Sequence, residues 1–464
     1  MRTWFAAAAA FGLMGASAFA QDTGAEQQEF RALYQELVEI DSSPGTGSCT
    51  AAAEALLTRL RAAGYSENDA RLIIPEGAPD DGNVVAMLRG TSRSQAMLLL
   101  AHIDVVDARR EDWERDPFTL YEEDGYFYGR GVADDKAMAA IFTDLMIRLR
   151  RENFRPRRTI KMALTCGEET SNRVNGVDYI IQNHREWVEA DFALNEGAGG
   201  ILDDQGRPLA LNVQAGEKIH QVFALEVTNP GGHSSRPVPE NAIYRLSAGL
   251  ERLAGHQFPV EISPVARAFF ERMGPIVGGE RGALMQAVAR EPENAELTAQ
   301  LAQDPSFNAM MRTTCVATQL DAGHAPNALP QRARAILSCR VLQGRTAEEV
   351  QAELQRVLDD PQIEVQIVRR REGSDAPRLT RQIMEPIETI AADMWPGTPV
   401  VPIMIAGATD GRFLNRAGIP TYGVSGIFSI PGEANAHGLN EKIRVQSVFE
   451  SREFLERLVR AYAR

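Results

Sequence analysis

Cysteine is scarce: four residues in 464 (Cys49, Cys166, Cys315 and Cys339), far apart and without a CxxC pair. That spacing leaves no metal or redox motif built on cysteine. An oxidising compartment would permit a bridge, Cys315 to Cys339 for instance, but sequence alone assigns no pairing. Basic charge is also short, with 49 Lys and Arg against 63 Asp and Glu, a net charge of −14. This balance argues against a nucleic-acid partner or an anionic membrane surface. Beyond residue 20 no apolar run is long enough to span a bilayer, and there is no internal repeat or low-complexity segment.

The first twenty residues, MRTWFAAAAAFGLMGASAFA, have one Arg near the start, an apolar stretch and Ala18-Phe19-Ala20 before polar QDTG. That is the layout of a secretory signal cleaved after Ala20, which predicts a periplasmic or secreted protein with no membrane association once cleaved. No Cys follows the cleavage point, so no lipid anchor is expected. At 464 residues and 44% apolar composition, the chain can bury a large core and make more than one domain.

Helical spacing is read at EFRALYQELVEI (Phe30, Leu33, Leu37), at AEALLTRLRAAGY and at AMAAIFTDLMIRLR (Met138, Ile141, Leu145, Leu149). Between these lie short apolar runs that each end in a polar loop: AMLLLAHID, TIKMALTCGEE, ADFALNEGAGG and VVPIMIAGATD. Strands alternating with helices predict an α/β sheet flanked by helices, with chemistry in the loops beyond the carboxyl ends of the strands. The middle of the chain instead reads β-α-β-β-α-β, the order of a small two-layer α+β domain, with an insert near 256–310. The expected division is a signal over 1–20, one domain from 21–213 and 373–464, and an inserted domain over 214–372.

Each strand end of the first domain has metal-ligand types: His102 and Asp104, Glu168 and Glu169, Glu196, with Asp134 and Asp135 before a helix and His437 near the C-terminus. Taken singly, each has an ordinary reading. A strand-end histidine is usually a hydrogen-bonded structural residue, and acids at a helix start are favoured by capping and the dipole. Taken together, imidazole nitrogens and carboxylate oxygens suit Zn²⁺. Even two histidines and three of these carboxylates exceed one tetrahedral ion and suit two ions sharing a carboxylate. Adjacent Glu168 and Glu169 point different ways on an extended backbone. One can bind an ion while the other acts as general base on its water, though residue chemistry does not say which.

In order, AHIDVV, DWERDPF, DGYFYGRGVADDK, GEET, NEG, GGHSS, NALP, ATDGRFL and HGLNEKI resemble the motifs of the dinuclear zinc exopeptidases and amidohydrolases. That family includes carboxypeptidase S, aminoacylase, glutamate carboxypeptidase, carnosinase, acetylornithine deacetylase and succinyl-diaminopimelate desuccinylase. The resemblance runs from about residue 30 to the end, and DWERDPF and ATDGRFL look nearest to the carboxypeptidase S and aminoacylase branch.

The resemblance implies a zinc-exopeptidase-like sheet with an inserted lid and dimerisation domain. It implies two Zn²⁺ per subunit, with Co²⁺ or Mn²⁺ as substitutes. His102 and Glu196 would hold one ion, His437 and Glu169 the other, and Asp134 would bridge them, with a cis peptide before Asp135. Glu168 would be the general base, and Asp104 would orient His102 from behind. From the lid, His233 would polarise the scissile carbonyl, reaching into the partner's site in a dimer, Arg340 would grip a substrate carboxylate, and Asn327 would contact the substrate backbone. Relatives commonly have an acid or Asn where this chain has Cys339.

The implied activity is hydrolysis of an amide in a small peptide or N-acyl amino acid, of carboxypeptidase or dipeptidase type. An N-acyl-amino-acid deacylase is the alternative, with the same catalytic residues and a different pocket lining. A binding protein that keeps the fold without turnover is the third reading; no catalytic position of the family pattern is missing to support it.

Overall fold

The computed structural model describes residues 10–92, 94–170, 172–405 and 407–464. The expected signal segment falls in part on residues 1–9, outside the described residues, and no described helix is long and apolar enough to cross a membrane. Contacts divide the chain into two units, one of residues 1–196, 202–207 and 425–464, the other of 197–201 and 208–424.

In the first unit, helices α1 (Ala10–Glu39) and α2 (Cys49–Ala62) precede strands β1 (Ala70–Ile73), β2 (Asn83–Leu88) and β3 (Ala96–His102). A small hairpin of β4 (Tyr121–Glu123) and β5 (Tyr126–Tyr128) leads to α3 (Lys136–Arg151). β6 (Thr159–Thr165), α4 (Gly176–Asn183) and β7 (Phe192–Asn195) follow. The strand order is β1-β2-β6-β3-β7. β2 runs antiparallel to β1 and β6, whereas β3 is parallel to both β6 and β7. The three parallel strands therefore end at one edge. Their near-continuous apolar sequences follow from burial on both faces.

The spacing in α3 predicts one apolar stripe, but the helix is buried at every position from Lys136 to Leu149. It packs between β3, α1 and the C-terminal helix Val445–Tyr462. Its charged positions are neutralised there: Asp144 binds Arg148 Nε at 2.9 Å and Arg452 Nε at 2.8 Å, and Arg148 also pairs with Glu456.

The second unit begins with β8 (Gly200–Leu202), which straddles the division, and β9 (Pro208–Glu217). β10 (Ile219–Thr228) and a two-residue strand β11 (Gly232–His233) lead to α5 (Ala242–Ala254). Helices α6 (Pro264–Val277), α7 (Gly279–Arg290), α8 (Ala295–Leu301) and α9 (Pro305–Met311) form the insert, with a small core of their own around Phe270, Met285 and Met311. Then come β12 (Thr314–Ala322), β13 (Ala328–Leu329), β14 (Arg332–Val341), α10 (Ala347–Leu358) and β15 (Glu364–Arg369). The antiparallel sheet β12-β14-β10-β15 is covered on one face by α5 and α10. On β14 the alternation is strict: Ala333, Ala335, Leu337, Cys339 and Val341 are buried and the residues between them are not.

The sequence divides at 213/214 and 372/373 on local pattern, whereas the second unit by contacts is 197–201 with 208–424. The difference lies in α11 (Arg381–Met394) and β16 (Val400–Ile405): β16 pairs in parallel with β9, from Val400 opposite Leu211 to Ile403 opposite Gln214. Such pairing between distant segments leaves no local signal in the sequence.

Both cysteine pairs are bridged. Cys315–Cys339 joins directly opposed residues of β12 and β14, and Cys49–Cys166 links the start of α2 to the residue after β6. Cys166, expected in the core, is fully buried.

At the end of β9, Glu217 is 5% exposed and accepts the Thr409 N–H at 2.9 Å. Burial pushes its pKa up to about 7 despite that hydrogen bond. The folded state thus keeps a proton that the unfolded chain releases near about pH 4.3. Stability contributed by this group is complete below that pH and is lost as pH rises through about 7. Glu217→Gln should therefore gain on the order of 3 kcal/mol over wild type at about pH 8 and almost nothing at about pH 4, read from denaturant midpoints.

Candidate metal centre

The parallel register of β3 and β6 sets His102 opposite Thr165, so both strand ends deliver side chains to the same edge. Beyond Thr165 the chain turns at Gly167, whose φ of +86° and close approach to the Val174 carbonyl exclude a side chain. The next two residues are Glu168 and Glu169. Their backbone N–H groups both donate to one buried carboxylate, Asp104, at 3.3 Å (Oδ1) and 3.1 Å (Oδ2). The sequence reading gives Asp104 a role in orienting His102. The structure divides that role: the Asp104 carbonyl accepts from His102 Nδ1 at 3.0 Å, and its carboxylate, 3.7 Å from the same nitrogen, holds the glutamate loop. A carbonyl only accepts, so Nδ1 carries the proton and Nε2 is directed away from the strand.

Nε2 of His102 meets Asp134 Oδ1 at 3.1 Å, and Asp134 Oδ2 meets His437 Nε2 at 3.2 Å. His437 Nε2 is also 2.8 Å from Glu169 Oε2. Donor atoms of His102, Asp134 and Glu169 all lie within 4.8 Å of one another. Asp134 is followed by a cis peptide, as the resemblance implies, and Asp135 occupies the N-cap position of α3 without making a side-chain cap bond. The ordinary reading of these acids as helix caps therefore does not describe them. His437 sits on a tight loop with φ of +61°, a left-handed backbone that non-glycine residues seldom adopt.

Charge at this edge is strongly one-sided. Burial lowers the His102 pKa, but the Asp134 hydrogen bond and the charges of Asp134, Asp104 and Glu169 overcome it and raise the imidazole well above its ordinary value. The Asp134 and Glu169 hydrogen bonds bring His437 up to about 10. Burial would raise Asp134, but the two histidine bonds hold it below the usual carboxylate range. Burial, together with neighbouring carboxylates, pushes Glu196 and Asp135 well up, and Glu168 is among the charges repelling both. Asp135 Oδ2 is buried with no hydrogen-bond partner. Acids that outnumber the histidines they surround form a donor set for cations. Two donors each about 2.0–2.1 Å from a tetrahedral ion stand about 3.3 Å apart, close to the spacing of Asp134 from each histidine. These residues fit a metal site.

Glu441 escaped the sequence reading. It is fully buried and accepts from the N–H of Gly131 (3.0 Å), Ala133 (2.8 Å) and Asp134 (3.2 Å), and from Arg130 Nη1 (2.7 Å). Arg130 also donates to the Gly438 carbonyl at 2.9 Å and stacks over Trp113. One carboxylate thus ties the loop of His437 to the loop of Asp134. The only signal was an acid four residues after His437, which reads as ordinary surface charge.

The other three candidates lie in the second unit. His233 ends β11 and Asn327 immediately precedes its partner β13, and Ser234 N–H donates to the Asn327 carbonyl at 3.1 Å. His233 Nδ1 accepts the Ser235 N–H at 3.1 Å, so Nε2 carries the proton in the neutral ring. The alternation on β14 turns Cys339 into the core and Arg340 to the opposite face, across from His220. Burial lowers the His220 pKa, and the positive field of Arg340, Arg371 and Arg369 lowers it further.

Comparison with known proteins identifies the family. The peptidase family M20/M25/M40 matches residues 98–461. The N-fatty-acyl-amino acid synthase/hydrolase PM20D1 of Homo sapiens is 30% identical over 79% of this chain and 74% of the relative. Aminoacylase-1 of Mus musculus is 25% identical over 79% and 81%. Among solved structures, the M20 metallo-carboxypeptidase Sso-CP2 of Sulfolobus solfataricus superposes with a TM-score of 0.67 at 21% identity, over 94% of this chain and 99% of that one. Human carnosine dipeptidase 1 does so at 0.60 and 16%, over 95% and 98%. With most of its length matched and a metal-ligand cluster at the sheet edge, the chain belongs to peptidase family M20/M25/M40 and is a metallohydrolase of amide bonds.

Proposed function

We propose that this family member hydrolyses the amide of N-acyl amino acids at a centre of two Zn²⁺ ions, with small peptides as the second substrate class. The observation that carries the dinuclear reading is Asp134, whose two oxygens face two different histidines. His102 and Glu196 would hold one ion, His437 and Glu169 the other, and Asp134 both. The N-acyl reading rests on the relatives, which include synthase/hydrolases of N-fatty-acyl amino acids at 30% identity. A carboxypeptidase S-like relative at 28% keeps the peptide reading as the second arm.

When bound, such ions polarise the carbonyl and acidify water. Glu168 then takes a proton from the attacking water and returns it to the leaving amine. Asp104 fixes where Glu168 stands by holding its backbone. His233, whose Nδ1 accepts the Ser235 N–H and leaves Nε2 as the donor, has the hydrogen-bonding capacity of an oxyanion donor. Arg340, which with Arg369 and Arg371 makes the positive field at His220, has the guanidinium fork that suits a carboxylate.

We also propose export and a homodimer. The amino-terminal sequence has the signal layout, and two disulfides suit an oxidising compartment. β12 is an edge strand with Val316 60% and Leu320 64% exposed, an apolar template for pairing with a second copy. Val316→Asp with Leu320→Lys should shift the protein to monomer in sedimentation equilibrium; an unchanged mass would remove this surface from the proposal.

Glu168→Ala should keep its metal and fold while turnover drops by about 10²–10⁴-fold on N-acyl amino acids. Loss of one metal equivalent from that variant would reverse the roles of Glu168 and Glu169. A panel of N-acyl amino acids against dipeptides ranks the two substrate classes. Glu441→Gln should remain folded but bind metal about 10–100-fold more weakly, measured by chelator competition.

A further inference from the structure

We propose that the Cys49–Cys166 disulfide is a positioning element of the metal centre, built in while the chain folds and sealed afterwards. The inference rests on the proposed roles of Glu169 as a ligand and Glu168 as the base.

Cys166 immediately follows β6 and precedes the Gly167 turn that delivers the two glutamates. The chain returns at Gly176, whose N–H donates to the Cys166 carbonyl at 2.7 Å. Where Cys166 stands therefore sets the base of the loop that carries Glu168 and Glu169. Its N–H donates to Asn83 Oδ1 at 2.9 Å, and its sulfur is tied to Cys49, 117 residues earlier.

A guanidinium completes the clamp. The Arg173 side chain is 5% exposed, with Nη1 at 3.0 Å from Asp81 Oδ1 and 3.5 Å from each sulfur of the bridge. Nη2 donates to the Gly47 carbonyl at 2.8 Å. Val174 N–H binds the other Asp81 oxygen at 2.9 Å. Segment 43–49 and the returning limb of the glutamate loop thus close over the bridge.

Within that frame the Asp104 carboxylate fixes the glutamate backbone. Without the bridge, β6 keeps its ladder but the loop base can shift against Asp104 and His102. A metal ligand or a catalytic base must be held within about 0.5 Å of its working position, so a small shift matters.

Both cysteines are fully buried, so reagents do not reach the formed bond. The bridge must form before the loop closes, by exchange of the two thiols with a disulfide oxidant. The S–S bond forms as two protons leave the thiols, and the oxidant takes two electrons and becomes a dithiol. Activity then depends on where the chain folds rather than on where it later works. Cys315–Cys339 differs: it joins an edge strand to its neighbour within the second unit.

The test compares Cys49→Ala with Cys166→Ala, as a double variant, against Cys315→Ala with Cys339→Ala. The first pair should bind Zn²⁺ about 10–100-fold more weakly by chelator competition, with kcat lowered and KM little changed; the second should retain wild-type Zn²⁺ affinity. Amide exchange over 166–176 should accelerate in the first pair alone. Wild-type exchange there together with wild-type Zn²⁺ affinity would overturn the inference. If the first pair does not fold, the near-isosteric Cys49→Ser with Cys166→Ser double variant takes the same two measurements at the lowest temperature at which it folds; wild-type Zn²⁺ affinity with wild-type exchange there would overturn it. Wild type that binds no Zn²⁺ would instead refute the metal-centre reading, while the exchange comparison still judges the clamp.

Discussion

Asp134 is the residue on which the site depends, because its two oxygens face histidines that come from positions 102 and 437. A carboxylate can do this only if its backbone is held by groups other than the two imidazole rings. Glu441 supplies that hold from below, accepting three N–H groups of the Asp134 loop and one guanidinium. A buried acid surrounded by four donors is satisfied, whereas the same acid alone would be costly. The loop of His437 and the loop of Asp134 consequently form one rigid body around a single carboxylate.

Asp104 does the equivalent on the other side. Its carbonyl fixes the tautomer of His102 and its carboxylate aligns two successive glutamate N–H groups. Two acids next to each other in sequence repel, and a shared anchor at the backbone lets their side chains serve different purposes. Parallel pairing of β3 with β6 and β7 then concentrates further acids at the same edge. That accumulation of like charge is costly for the fold by itself, and it is the charge pattern that a cation site needs.

Much of the site was legible in the sequence because ligand types come directly after apolar runs. His102, Glu168, Glu169 and Glu196 could be found there since each is among the first polar groups after a buried strand. What could not be found were groups whose meaning depends on residues hundreds of positions away. Glu441 looks like surface charge until Gly131 and Asp134 are seen around it, and Cys166 looks like core until Cys49 stands beside it. α3 misled for the same reason: helical periodicity reports one apolar face, and only its neighbours show that its charged face is buried too. The unit division likewise tracks the β9–β16 pairing, which local pattern does not encode.

The sequence by itself determined the alternation of strands and helices, the β-α-β-β-α-β order of the middle segment, and the residue types gathered at the strand ends. These are local properties, set by hydrophobic period and by the polar residues that close each buried run. Tertiary structure decided that Asp134 faces two histidines, that Asp104 holds a loop as well as a ring, and that Cys49 finds Cys166. Apart from the ring of His102, which is local, those are contacts of about 3 Å or a covalent bond between segments far apart in the chain, and only packing brings them together.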